Sequence, residues 1–130
     1  MHEWALANAI VDALLAHAGE PREVKFLEIR LGKLQSVAPE DIEFWLRQLL
    51  EERGVKVGEV KFVQEEVVLR CRRCGHEWSL DPSEAPETVR EYMHFVPEAV
   101  HAFYRCPRCG SHDYEVVRGR GVYIGKVVFR

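Results

Sequence analysis

No apolar run in this 130-residue chain reaches the eighteen or so residues that a membrane-spanning helix needs. A basic-then-apolar leader is missing as well, because Glu3 stands where an export signal would carry lysine. Positive charge is not in excess. With 18 basic side chains against 21 acidic ones the formal charge is −3, which argues against a nucleic-acid protein held mainly by phosphate contacts. There is no GxxxxGK[ST] phosphate loop and no HExxH helix, and no nucleophile–base pair stands out. The expectation from these absences is a soluble, cytoplasmic protein, and one with no evident catalytic machinery. The composition, 47% apolar, suffices for one ordinary domain or two small ones.

Cysteine is scarce, and all four copies fall in two tight pairs, Cys71/Cys74 and Cys106/Cys109. Each pair is followed by glycine, in CRRCG and CPRCG, and glycine admits a backbone turn that a side chain opposes. Two facing CxxCG knuckles supply four thiolates to one tetrahedral ion, the arrangement of a closed structural zinc site. Disulfides suit a secreted chain, and a thioredoxin-like CxxC belongs ahead of a helix, which neither pair has. An iron–sulfur or mononuclear iron site is the remaining competitor. Arg70, Arg72, Arg73, Arg105 and Arg108 lie beside the cysteines and could offset a charge of about −2. His76 and His112 read as surface groups; they could also support the site or serve as alternative ligands, though four sulfurs already fill the tetrahedron.

The apolar pattern predicts an α+β fold. Leu6, Ala9, Ile10, Ala13, Leu14 and His17 recur at helical steps over residues 4–18, with Gly19 and Pro21 as the stop. Leu27, Ile29 and Leu31 alternate with Glu28 and Arg30, as on a half-buried strand. Pro39, Glu40 and Asp41 open a second helix with the stripe Ile42, Trp45, Leu46 and Leu49, and Gly54 ends it. Residues 56–70 read as a strand bulged near Gln64–Glu66, and 114–129 as two strands around the turn Arg118–Gly121. The expectation is two helices on a sheet of about three strands, formed by 1–70 plus 113–130, with a zinc-ribbon-like domain inserted at 71–112.

The opening MHE raises a separate possibility. A histidine at position 2 can chelate an ion through its imidazole and backbone nitrogens, with the nitrogens of Glu3 and Met1 at hand. Deprotonated amide nitrogens in tetragonal geometry select Ni²⁺ or Cu²⁺ over Zn²⁺. On chemistry alone, an ordinary helix start with Glu3 as a first-turn acid is the better reading. His94 and His101, in YMHFVPEAVHAFY, read as packing histidines, although either could turn toward such an ion.

Over nearly its whole length the chain resembles the HypA-type nickel metallochaperones of hydrogenase maturation. The resemblance rests on MHEWALANAI, LGKLQSVAPEDIEFW, the knuckles CRRC and CPRC, and CGSHDYEVVRGRGVYI. The 31 residues between Cys74 and Cys106 look like the long-insert, archaeal-like branch. This resemblance implies a nickel-binding α/β domain carrying a zinc domain. It implies Ni(II) as transferred cargo on His2 and Glu3, with the backbone nitrogens of both, and His94, in HFVPE, as a further ligand. Cys71, Cys74, Cys106 and Cys109 would hold Zn(II). The implied partners are a HypB-type nickel-insertion GTPase or ATPase and the hydrogenase large subunit, with neither nucleic acid nor membrane involved. Trp4 and Ala5 depart from the methionine and serine that many relatives carry, without removing a donor. The competing functions are a zinc-ribbon adaptor for protein or RNA, and a hydrolase built on histidine and glutamate.

Overall fold

The computed structural model describes residues 2–18, 23–35 and 37–130, with His2 described by its backbone only. Gly19 and Pro21, the expected stop of the first helix, lie outside the described residues. The chain divides into two compact units: Met1–Arg30, Ala38–Val63 and Val122–Arg130 form one, and Leu31–Val37 with Gln64–Gly121 form the other. The second unit is thus larger than the 71–112 insert read from the sequence, because it also takes in 31–37, 64–70 and 113–121.

In the first unit, helix α1 (His2–Ala18) packs on helix α2 (Pro39–Glu52). Strands β1 (Glu23–Gly32), β2 (Lys56–Glu65) and β6 (Val122–Phe129) form a three-stranded sheet in the order β2-β1-β6. The amide of Arg130 donates to the carbonyl of Glu23, so the end of the chain meets the start of β1 and the two strands run antiparallel. Leu27 and Ile29 of β1 are buried, as their alternation predicts. The stripe of α2 is Ile42, Leu46 and Leu50, with Trp45 and Leu49 only half-buried at its edge. The stripe of α1 is Ala7, Ile10, Val11 and Leu14, whereas Ala9, Ala13 and His17 are exposed. Periodicity misplaces this face because the helix is apolar on nearly every side, and small alanines mark no direction. Pro39 occupies the first turn of α2, and Gly54, at φ +73°, takes the chain out of it. Arg47 ties α2 to the next strand by donating to the carbonyls of Val57 and Gly58, at 3.3 and 3.0 Å.

The second unit is built on β3 (Val67–Cys71), β4 (Glu77–Leu80) and β5 (Tyr114–Arg118), in the order β4-β3-β5 with both pairings antiparallel. The strand expected over 56–70 is broken at Glu66 into β2 and β3, which belong to different sheets. Between the cysteine pairs run α3 (Glu87–Phe95) and the single turn α4 (Val100–Phe103). Among the described residues there are therefore four α-helices, not two: α1 and α2 in the first unit, α3 over the stretch TVREYMHF (88–95) that also reads from sequence as a short helix, and α4 in addition. The apolar residues Met93 of α3 and Val100 of α4 enter a core with Leu34, Val67, Leu69 and Tyr114. That core explains why so short a stretch becomes helical: a nine-residue helix is marginal in water and gains stability here from packing. No helix among the described residues is long and apolar enough to cross a membrane.

Candidate metal centre

The two cysteine knuckles are backbone copies of one another. Strand β3 ends on Cys71, whose carbonyl accepts from the Gly75 amide at 3.0 Å while its own amide donates to His76 at 2.9 Å. In the second knuckle the Cys106 carbonyl accepts from Gly110 and the Cys106 amide donates to Ser111, both at 2.8 Å. Gly75 and Gly110 share φ +77° and face open space, so backbone conformation and not room requires glycine there. The first knuckle closes the β3–β4 hairpin, with Arg70 opposite Glu77, and the second leads into β5, which sets Tyr114 opposite Cys71.

This geometry brings all four sulfurs within 4.8 Å of one another. The sulfurs of Cys71 and Cys109 are 3.5 Å apart, and those of Cys74 and Cys106 are 3.7 Å apart. A zinc ion with Zn–S bonds of about 2.3 Å sets its ligand sulfurs about 3.8 Å apart, whereas a disulfide needs about 2.0 Å. The donor set therefore fits a tetrahedral thiolate ion and not a pair of disulfides. Ionisation agrees with this. The Cys74 amide, 3.4 Å from the Cys71 sulfur, holds that thiol down to about 6. Cys109 is aided by the Ser111 amide, but crowding by the neighbouring sulfurs and the desolvation it brings push it up to about 11. The first thiolate forms easily and a later one resists joining it, so a full set of four calls for a cation at the centre.

The arginines expected to balance that charge are partly engaged elsewhere. Arg70 bridges Glu77 and Glu115, at 3.4 and 3.2 Å, and Arg72 meets Asp113 at 3.1 Å. The nearby histidines are structural. His76 stacks on Trp78 with ring centroids 6.0 Å apart. His101 and His112 contact each other's backbone, and His101 stacks on Tyr114 at 4.4 Å. Tyr114 is fully buried, and its hydroxyl reaches the carbonyls of Val100 and Tyr104, both at 2.8 Å, which fastens α4 over β5.

The residues assigned to nickel are placed less completely. His2 is the first residue of α1, and its side chain lies outside the described residues, as does Met1. Glu3 sits in the first turn, half-buried. His94, on the last turn of α3, points Nδ1 at the carbonyl of Gln35 and packs edge-on against Phe95 at 4.8 Å. The sequence gives no sign of Gln35, whose side-chain oxygen also accepts from the Gly121 amide at 2.9 Å. It stands 59 positions from His94, and no local pattern joins them.

Known proteins share this plan. Residues 1–129 match the family described as hydrogenase/urease nickel incorporation, metallochaperone, hypA. The hydrogenase maturation factor HypA of Pyrococcus abyssi is 50% identical over 131 residues, which cover 98% of this chain and 94% of that protein. That of Thermococcus kodakarensis is 47% identical over 132 residues, covering 98% and 94%. The solution structure of the Ni metallochaperone HypA from Helicobacter pylori superposes with a TM-score of 0.61 at 14% identity, covering 98% of this chain and 96% of that one. At that identity the superposition shows a shared fold alone, while the sequence matches establish kinship. The chain belongs to the HypA family of nickel-incorporation metallochaperones, proteins that carry metal without catalysing a reaction.

Proposed function

We propose that the protein works in the cytoplasm as a nickel carrier that holds Ni²⁺ at Met1-His2-Glu3. It would deliver the ion, with a HypB-type nucleotide-hydrolysing partner, to the large subunit of a [NiFe]-hydrogenase. The observation that carries the reading is that α1 opens on His2. The amides of His2 and Glu3 therefore lack intrahelical acceptors and are open to deprotonation by a metal. With the imidazole they make a nitrogen-rich set suited to Ni²⁺. His94 is proposed as a further ligand. Assigning its proton to Nδ1, which then donates to the Gln35 carbonyl, puts the lone pair on Nε2, the tautomer a metal-binding histidine uses. The four cysteines take zinc as a separate, structural ion that shapes the unit bearing His94.

Nickel titration of the untagged, zinc-loaded protein beside His2→Ala, followed by absorption spectroscopy, tests this. The expected result is one Ni²⁺ per chain with a square-planar band, lost in His2→Ala while zinc stays bound. Equal nickel binding by both proteins would reduce MHE to a helix start and make a zinc-ribbon adaptor the better account.

A further inference from the structure

Helix α3 is apolar on two sides. One side gives Met93 to the core, with Val89 packed beside it. On the other, Thr88, Tyr92 and Phe95 follow one another at steps of four and three and so share a face. Tyr92 is 62% exposed and Phe95 63%. Val96, directly after the helix, is 51% exposed. Phe103, at the end of α4 and 44% exposed, brings its ring to 6.0 Å from that of Tyr92. A groove of about 480 Å³ runs along this ridge, lined by Thr88, Glu91, Tyr92, Phe95 and Val96. Four large apolar side chains gathered on one outward surface are unlike scattered exposed hydrophobes, and such clusters mark contact sites.

Charge specifies what fits there. Glu87 and Glu91 stand one helical turn apart along the flank of the ridge, a like-charged spacing that weakens a helix. Neither carboxylate makes a side-chain hydrogen bond or ion pair among the described residues. Of the two basic side chains on α3, Arg90 is half-buried with its Nε enclosed and without a hydrogen-bond partner, and His94 is engaged with Gln35. Arg90 forms no ion pair with Glu87 or Glu91 among the described residues.

We infer that this face of α3 and α4 docks an amphipathic helical segment of a partner protein. Its apolar residues would lie along Tyr92, Phe95, Val96 and Phe103, and its lysines or arginines opposite Glu87 and Glu91. The inference stands whether or not His2 holds nickel.

The test uses two synthetic helical peptides of about five turns with the same leucine stripe, one otherwise rich in lysine and one in glutamate. Each is titrated into ¹⁵N-labelled, zinc-loaded full-length protein. The lysine peptide should shift the amides of Tyr92, Phe95, Val96 and Phe103, and the glutamate peptide should not. Tyr92→Ser should weaken the lysine peptide roughly tenfold. The double variant Glu87→Lys/Glu91→Lys should exchange the preference and bind the glutamate peptide, a gain that misfolding cannot imitate. Equal binding of both peptides, shifts confined to other elements, or an unchanged preference in the double variant would overturn the inference. Concentration-dependent shifts of the same four amides in the protein alone would overturn it too, by showing that a second copy fills the ridge.

Discussion

His101 and His112 hold each other by the backbone: Nδ1 of His101 lies 3.0 Å from the His112 carbonyl, and Nδ1 of His112 lies 2.8 Å from the His101 carbonyl. This reciprocal pair staples α4 to the strand entry after the second knuckle. His112→Ala removes one of the two bonds and should lower stability by about 1 kcal/mol, read as a shift in the denaturant midpoint. Zinc content should stay at one ion per chain, because both rings spend Nδ1 on carbonyls and the four sulfurs complete the site without them. Loss of zinc in His112→Ala would make the ring a ligand instead.

Tyr114 should govern the alkaline limit of the same unit. Burial pushes its phenol up to about 12, with the charge of Tyr104 adding in the same direction. A phenol whose folded value is raised stabilises fully below its ordinary value of 10 and loses that contribution as pH rises toward 12. In a titration followed at 295 nm, one of the four tyrosines should therefore ionise last, together with unfolding of its surroundings. Tyr114→Phe should abolish that late step. It leaves the carbonyls of Val100 and Tyr104 without the hydroxyl, so it should also lower stability near neutral pH by about 1–3 kcal/mol.

Metal removal should act on one unit far more than on the other. Binding of a structural zinc contributes about 10–16 kcal/mol in small zinc peptides, as much as a whole domain's net stability. The second unit gathers its knuckles around the sulfurs, while the first has its own core in Ile10, Leu14, Leu27, Ile29, Ile42 and Leu46. A strong chelator, or Cys106→Ser, should broaden or collapse the amide signals of β3–β5. Most of the helical signal of α1 and α2 should survive. Equal loss in both units would show that the first does not hold its structure alone.

Two kinds of glycine should respond differently to alanine. At Gly32 an added Cβ would fall 2.2 Å from the Gly119 carbonyl oxygen, and at Gly119, φ +93°, it would fall 2.6 Å from that of Glu66. Both obstacles are backbone, so each substitution should destabilise by about 2–4 kcal/mol. At Gly75 and Gly110 space is open and only the left-handed backbone resists, so alanine should cost about 1–2 kcal/mol. Asparagine should recover part of that loss at the knuckles and none at Gly32. Thermal unfolding of the four alanine variants and the asparagine set checks the order.

What could be seen in the sequence was whatever depended on short spacing. CxxCG fixes the number, identity and local turn of the zinc ligands, and each knuckle forms as that spacing requires. Pro39 and Gly54 bound α2 because their effect is on their own backbone. The reading weakened where partners were remote or contrast was low. Periodicity marks Ile10 and Leu14 on the buried face of α1 but not Ala7 and Val11, since alanine and leucine surround that helix. The irregularity at Gln64–Glu66 is legible as a bulge, but the change of sheet there is not, because the two flanking segments, VKF and VVL, have equal strand character and only pairing with different neighbours separates them. His94 could be singled out by its likeness to HFxPE, but its partner Gln35 lies on another stretch of chain altogether.

The knuckles also differ within themselves. In each, the first cysteine is buried and the second is exposed: Cys71 and Cys106 inside, Cys74 and Cys109 outside. An ion bound there has two anchored bonds and two that water, oxidants and competing thiols can reach. Such an ion would be expected to leave from the outer sulfurs first, so the exposure of Cys74 and Cys109, more than the depth of Cys71 and Cys106, would govern how long it stays.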